Sequence, residues 1–137
     1  MRRLLSVGLW ISVVVLGTGA CGNDLTSLET TPSQIVTESF TGTLNPNGGT
    51  THPFIATGRG AVKATLTAIG EDNSAVVGLS LGNWTGSSCL IAAANDYAIA
   101  TIPLTATVSA AGQLCARVYD TQGLTAATSY TLQVIHP

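Results

Sequence analysis

Charge is what this chain has least of. Only 9% of its residues are Asp, Glu, Lys or Arg, and two of its five basic side chains are Arg2 and Arg3. Beyond residue 20 the only cations are Arg59, Lys63 and Arg117, placed singly. A surface that tracks phosphates needs clustered Lys and Arg, so nucleic acid is not expected as a partner. Aromatic residues make up 5%, and there are two histidines and three cysteines. Two cysteines without a neighbouring histidine make half a zinc set at most. No ligand-dense acidic loop of the kind calcium requires is present. The sequence therefore implies no cofactor and no metal.

What is present begins at the amino terminus. Arg2 and Arg3 are followed by an apolar run, Leu4 to Leu16, and then by Gly17-Thr18-Gly19-Ala20 before Cys21. A basic start, a short apolar stretch and small residues form a secretory signal, too short and wrongly flanked for a membrane span. Small residues directly before a cysteine resemble the lipobox of bacterial lipoproteins. That resemblance implies cleavage before Cys21 and diacylglycerol on its thiol, with residues 1–20 as signal peptide. Gly22, where Asp would hold the protein at the inner membrane, implies the outer membrane. The lipid anchor at Cys21 makes the bilayer the first expected partner. Chains held by two or three acyl groups stay bound where one would not suffice, since each buried methylene contributes about 0.8 kcal/mol.

After residue 20 the charge is −4, from Arg59, Lys63 and Arg117 against Asp24, Glu29, Glu38, Glu71, Asp72, Asp96 and Asp120 (3 − 7). Residues 21–34 carry no sustained period and are rich in Thr and Ser. They read as a lipidated flexible tether with a reach of about 20 Å. With Cys21 assigned to lipid, Cys89 and Cys115 remain as a pair, and outside the cytoplasm such a pair usually oxidises.

Residues 35–137 read as strands. Val62, Ala64, Leu66 and Ala68 alternate with Lys63, Thr65, Thr67 and Ile69, a period of two. Leu114, Ala116 and Val118 alternate with Cys115, Arg117 and Tyr119, and Tyr130, Leu132 and Val134 with Thr131 and Gln133. Turn signals separate these runs, among them Asn45-Pro46-Asn47-Gly48-Gly49, Gly70-Glu71-Asp72-Asn73, Gly82-Asn83 and Asn95-Asp96. About eight short strands at that spacing predict one all-β domain, a single antiparallel sandwich without helices. If Leu114, Ala116 and Val118 face the core, Cys115 faces away from it. The disulfide then lies on an outer face, or a bulge reverses the alternation.

Phe40-Thr41-Gly42-Thr43-Leu44 with His52-Pro53-Phe54, the strand Gly60 to Leu66, and the segments Ala111 to Tyr119 and Tyr130 to Val134 resemble bacterial pre-peptidase C-terminal domains. The resemblance implies a jelly-roll-like sandwich and a role beside secreted hydrolases. This chain carries no catalytic partner domain, and Thr50-Thr51-His52 stands where that family often has acidic residues.

Gly78-Leu79-Ser80-Leu81-Gly82 spells a hydrolase nucleophile elbow, which requires a strand, a sharp turn and a helix. Turn residues follow instead of a helix, so Ser80 reads as an ordinary strand position and no residue is assigned as catalytic. His52 and His136 read as strand-end histidines. Glu71, Asp72, Asp96 and Asp120 stand in turn signals, where calcium is the less favoured of two explanations. Trp84, beside Asn83 in a polar segment, is the best candidate for a binding surface, since an aromatic with polar neighbours suits carbohydrate or protein contacts. The expected function is a non-catalytic envelope module that binds an envelope polysaccharide or another envelope protein. The alternatives are an accessory part of a secreted hydrolase system and a calcium-dependent adhesin.

Overall fold

A computed structural model describes Ser33–Pro137; the expected signal peptide, Cys21 and the expected tether as far as Pro32 lie outside the described residues. Eight strands follow one another: β1 Val36–Leu44, β2 Gly49–Ala56, β3 Gly60–Ile69, β4 Val77–Trp84, β5 Cys89–Ala98, β6 Leu104–Val108, β7 Gly112–Tyr119 and β8 Thr128–His136. They form two four-stranded antiparallel sheets, β1-β8-β3-β6 and β2-β7-β4-β5. No helix occurs among the described residues. This is the jelly-roll order, and the all-β sandwich expected from the strand spacing is what the chain forms.

The topology sorts the turns. Because each strand reverses the last, the β2–β3, β4–β5 and β6–β7 connections share one end with the start of β1 and the close of β8. That is the entry end, where the chain arrives from its amino terminus. The β1–β2, β3–β4, β5–β6 and β7–β8 connections share the far end.

The core lies between the sheets and is built from alternate residues of inner and edge strands alike. Leu44, Leu66, Leu79, Val118 and Leu132 are all fully buried there. Burying an aliphatic side chain of this size contributes roughly 1.5–3 kcal/mol. In β3 the alternation holds only as far as Leu66. A bulge at Thr67 shifts the register against β8, so Ile69 enters the core and Ala68, expected there, is half-buried. The extra residue changes the face of everything after it, and the larger side chain takes the core position. Asn95-Asp96 is likewise no turn. It stands within β5, where the register against β4 slips by one residue, and a second slip follows Leu81. Gly82-Asn83 also belongs to a strand, and the turn comes later, at Thr85–Ser88, closed by Thr85 N–H donating to the Ser88 carbonyl at 3.0 Å.

Cys89 and Cys115 form a disulfide with Cα atoms 5.8 Å apart. Cys115 is fully buried, yet its neighbours Leu114, Ala116 and Val118 are the ones in the core cluster. The bridge therefore lies on the outer face of the second sheet. It ties β7 to the start of β5 past the intervening β4, at the level of Gly82, the register partner of Cys115. On the same face the Tyr119 ring occupies the space a Gly78 side chain would need, and the Arg117 guanidinium lies over Gly49 and 5.2 Å from the Tyr119 ring centre.

These coverings account for Gly78-Leu79-Ser80-Leu81-Gly82 in packing terms. Leu79 and Leu81 face the core, while both glycines leave room on the outer face for what crosses it. Ser80 stands mid-strand between them, fully buried, and its Oγ has no hydrogen-bond partner. A buried unpaired hydroxyl costs about 1–3 kcal/mol. Ser80→Ala is accordingly expected to stabilise the domain by about 1 kcal/mol, read as a raised urea midpoint at unchanged m-value.

Candidate binding site

A cleft of about 320 Å³ opens at the entry end, between β6 at the edge of the first sheet and β4 and β5 of the second. Phe54, Val62, Leu81 and Leu114 make its floor, and each is nearly or fully buried. Its walls come from Ala92 of β5, from Ala106 and Thr107 of β6, and from the β6–β7 loop Ser109-Ala110-Ala111. Asn83 supplies a carboxamide on the rim, beside Ser109; the side chain of Thr107 is exposed and alternates with Ala106 and Val108, which pack on the core. No charged side chain lines the cleft. An apolar floor with a few neutral hydrogen-bonding groups suits a small uncharged ligand, and the volume lies at the low end for ligand pockets.

The structure separates the two residues expected to share a surface. Asn83 is the register partner of the core residue Leu114 and lines the cleft. Trp84, one position on, is the partner of Cys89, so it shares the outer, disulfide-bearing face. It is half-buried and does not belong to the core cluster. The cleft walls from β6 and the β6–β7 loop were not picked out by the sequence reading. Their residues are small and uncharged, and nothing in their spacing announces a wall.

The histidines have separate partners. His136 is 2% exposed, and its Nε2 donates to Glu38 Oε1 at 2.9 Å. Its ring tilts against Phe54, with centroids 4.9 Å apart. His52 stacks on Phe40 at 4.8 Å, and its Nε2 lies 2.8 Å from the Tyr130 hydroxyl. Burial holds the His52 pKa below its ordinary 6.5 and raises that of Tyr130. The folded protein thus disfavours the charged imidazole, whereas the unfolded chain takes up its proton near 6.5. His52 therefore contributes no pH dependence above that value, and stability falls as pH drops through it towards the lower folded pKa. The melting temperature should decline between pH 7.5 and 5, and His52→Phe should flatten that decline. An equal slope in both proteins would remove His52 as its source.

The turn carboxylates at the far end also have local roles. Asp120 accepts from the backbone N–H groups of Asn47, Gln122, Gly123 and Leu124, clasping the β7–β8 loop to the β1–β2 turn. These bonds, led by that from Asn47, hold its pKa below the ordinary carboxylate value. Asp72 accepts from the Ser74 hydroxyl and N–H, with the same effect. Asp96 accepts from the Tyr119 hydroxyl at 2.6 Å. Burial, helped by that bond, pushes the Tyr119 pKa up to about 12. Among the described residues no group of three or more His, Cys, Asp or Glu could hold a metal ion.

Fold and site together describe a disulfide-stapled jelly-roll sandwich with one neutral cleft between its sheets. No family model matches the chain, and no curated protein does. Among solved structures it is similar to the crystal structure of the Yersinia pseudotuberculosis-derived mitogen. That match has a TM-score of 0.52 at 18% identity and covers 77% of this chain and 87% of that one. At that identity the likeness concerns the fold alone.

Proposed function

We propose that this chain is a non-catalytic, lipid-anchored envelope module that holds a small neutral ligand in the cleft at its entry end. The best-fitting ligand is a sugar unit of an envelope polysaccharide. The observation that carries this reading is the lining itself: an apolar floor of Phe54, Val62, Leu81 and Leu114 under the neutral polar rim of Asn83 and Ser109. A sugar ring presents one apolar face and a rim of hydroxyls, which matches that arrangement. The anchor at Cys21 comes from the lipobox-like segment that precedes it.

Two measurements test the two halves. Intact mass of the protein from native membranes should show a chain beginning at Cys21 with a lipid-sized increment. Binding to isolated envelope polysaccharides, followed by calorimetry, should weaken about tenfold in Asn83→Ala, the loss expected for one hydrogen bond. Trp84→Ala should leave it unchanged. Binding lost with Trp84 and kept without Asn83 would move the site to the outer face and sink the cleft as its location.

A further inference from the structure

The two ends of the sandwich differ in charge and in apolar exposure. Among the described residues, five of the eight large hydrophobic side chains that stand exposed gather at the entry end: Ile35, Val36, Ile55, Leu90 and Ile91, at 67, 38, 62, 59 and 51%. They surround the end from both sheets, since Ile35 and Val36 open β1, Ile55 closes β2, and Leu90 and Ile91 open β5. The charges near this end are Arg59 in the β2–β3 turn, Lys63 three residues into β3, and Glu38, which is engaged by His136. Glu71, Asp72 and Asp120 all lie in far-end connections, Asp96 lies near the far end of β5, and Arg117, two residues before the close of β7, is the one cation among them. The remaining exposed apolar residues, Tyr97, Ile99 and Ile102, share that acidic end.

We infer that the entry end docks on the bilayer surface, with the collar of Ile35, Val36, Ile55, Leu90 and Ile91 seated among the head groups and Arg59 against their phosphates. This rests on the lipid anchor proposed above. The amino-terminal chain joins the domain at the collar end. A flexible chain as long as residues 21–34 reaches about 20 Å, whereas a nine-residue strand such as β1 spans roughly 30 Å. An anchor at Cys21 thus keeps the collar near the lipid and the far end a strand length away. Apolar side chains with basic neighbours favour an anionic interface, and four carboxylates disfavour it. The far end, with fewer exposed apolar residues and four carboxylates against Arg117, is the less suited to such an interface, and the end with more apolar exposure beside Arg59 and Lys63 is the one that the anchor holds down. Docked in this way, the cleft lies at head-group level, because its β6–β7 wall belongs to the same end.

Trp84 makes the inference testable. The chain has two tryptophans, Trp10 in the signal and Trp84 at the close of β4. Once the signal is removed, Trp84 is the only indole and stands at the collar. The protein purified from native membranes, with its mass recorded, is incorporated into phosphatidylethanolamine–phosphatidylglycerol vesicles with brominated acyl chains. An apolar surface seated ~5–10 Å into the boundary should bring Trp84 within quenching range and lower its emission about twofold. Leu90→Glu with Ile91→Glu should restore the emission. A probe moved to the far end, by Tyr97→Trp in a Trp84→Phe chain, should stay bright.

A lipidated chain whose Trp84 emission is unaffected by bromine would overturn docking while leaving the anchor intact. An unlipidated mass with strong quenching would remove the anchor and leave docking standing. An unlipidated, unquenched chain would end both. Association into dimers through β5, with no quenching, would make the collar a contact between copies and overturn the inference as well.

Discussion

Replacing Cys89 and Cys115 together by alanine is expected to lower the unfolding free energy by about 3–4 kcal/mol. The bridge closes a loop with a sequence separation of 26, and chain entropy of the unfolded state sets the size of the effect for a loop of that order. Typical domain stabilities are only about 5–15 kcal/mol, so this is a large share of the whole. The native side of the balance points the same way. The bridge fastens the opening of β5, a sheet-edge strand that pairs only with β4 and carries two register slips against it. Without the bridge that opening is the part of the second sheet most ready to fray. Urea unfolding should show a lower midpoint in the double variant, and in the wild type with reductant, by equal amounts. Hydrogen exchange should quicken first at Leu90 to Ala93. A loss under 1 kcal/mol, with exchange unchanged at β5, would mean that the β4–β5 ladder alone sets the position of that strand.

The fold was legible where side-chain period and turn chemistry agree, and failed to be where one residue is inserted. β7 and β8 follow their apolar alternation without interruption, and of the two alternatives that the alternation left for Cys115, the outer face is the one the chain adopts. In β3 the alternation pointed to Ala68, but a bulge at Thr67 puts Ile69 into the core instead, and no local signal marks an inserted residue among Thr and Ala. Asn95-Asp96 has turn chemistry, yet there it serves a bulge inside a strand, because both features need residues tolerant of irregular backbone. Gly82 misled for another reason. Its lack of a side chain meets a demand made by β5, which packs directly against it but leaves no mark in the local sequence.

The cleft was half legible. Asn83 was singled out for its place beside an aromatic, and the structure puts it on the rim of the cleft while Trp84 takes the opposite face. The cleft walls are small neutral residues whose role comes only from the placing of β6 and the β6–β7 loop opposite β4 and β5. By contrast, the charge difference between the ends was open to a sequence reader. In an antiparallel sandwich alternate connections share an end, and Glu71-Asp72 and Asp120 stand in the third and seventh while Arg59 stands in the second.

Gly82→Ala is expected to destabilise the domain by about 3 kcal/mol, at the upper end for overpacked sites. A methyl group there would overlap the Leu90 carbonyl and crowd the Ile91 Cα, both of them backbone. A flexible side chain could swing aside, but a strand can yield only by moving as a unit. The disulfide opposes that movement, since Cys89 is the residue next to Leu90 and is fixed to Cys115. The two perturbations should therefore be coupled. In the background lacking both cysteines, β5 is free to lift away, and Gly82→Ala should cost less there by about 1 kcal/mol. A double-mutant cycle by urea denaturation measures this directly. Additive losses would show that β5 cannot yield even without its bridge, and that the β4–β5 ladder, not the disulfide, holds its backbone over Gly82. Because Gly82 and Ala92 also line the cleft, a displaced β5 should carry a wall of the cleft with it. Gly82→Ala is thus expected to weaken ligand binding in the oxidised protein, where β5 is held under strain, by more than its distance from the Asn83 carboxamide alone would suggest.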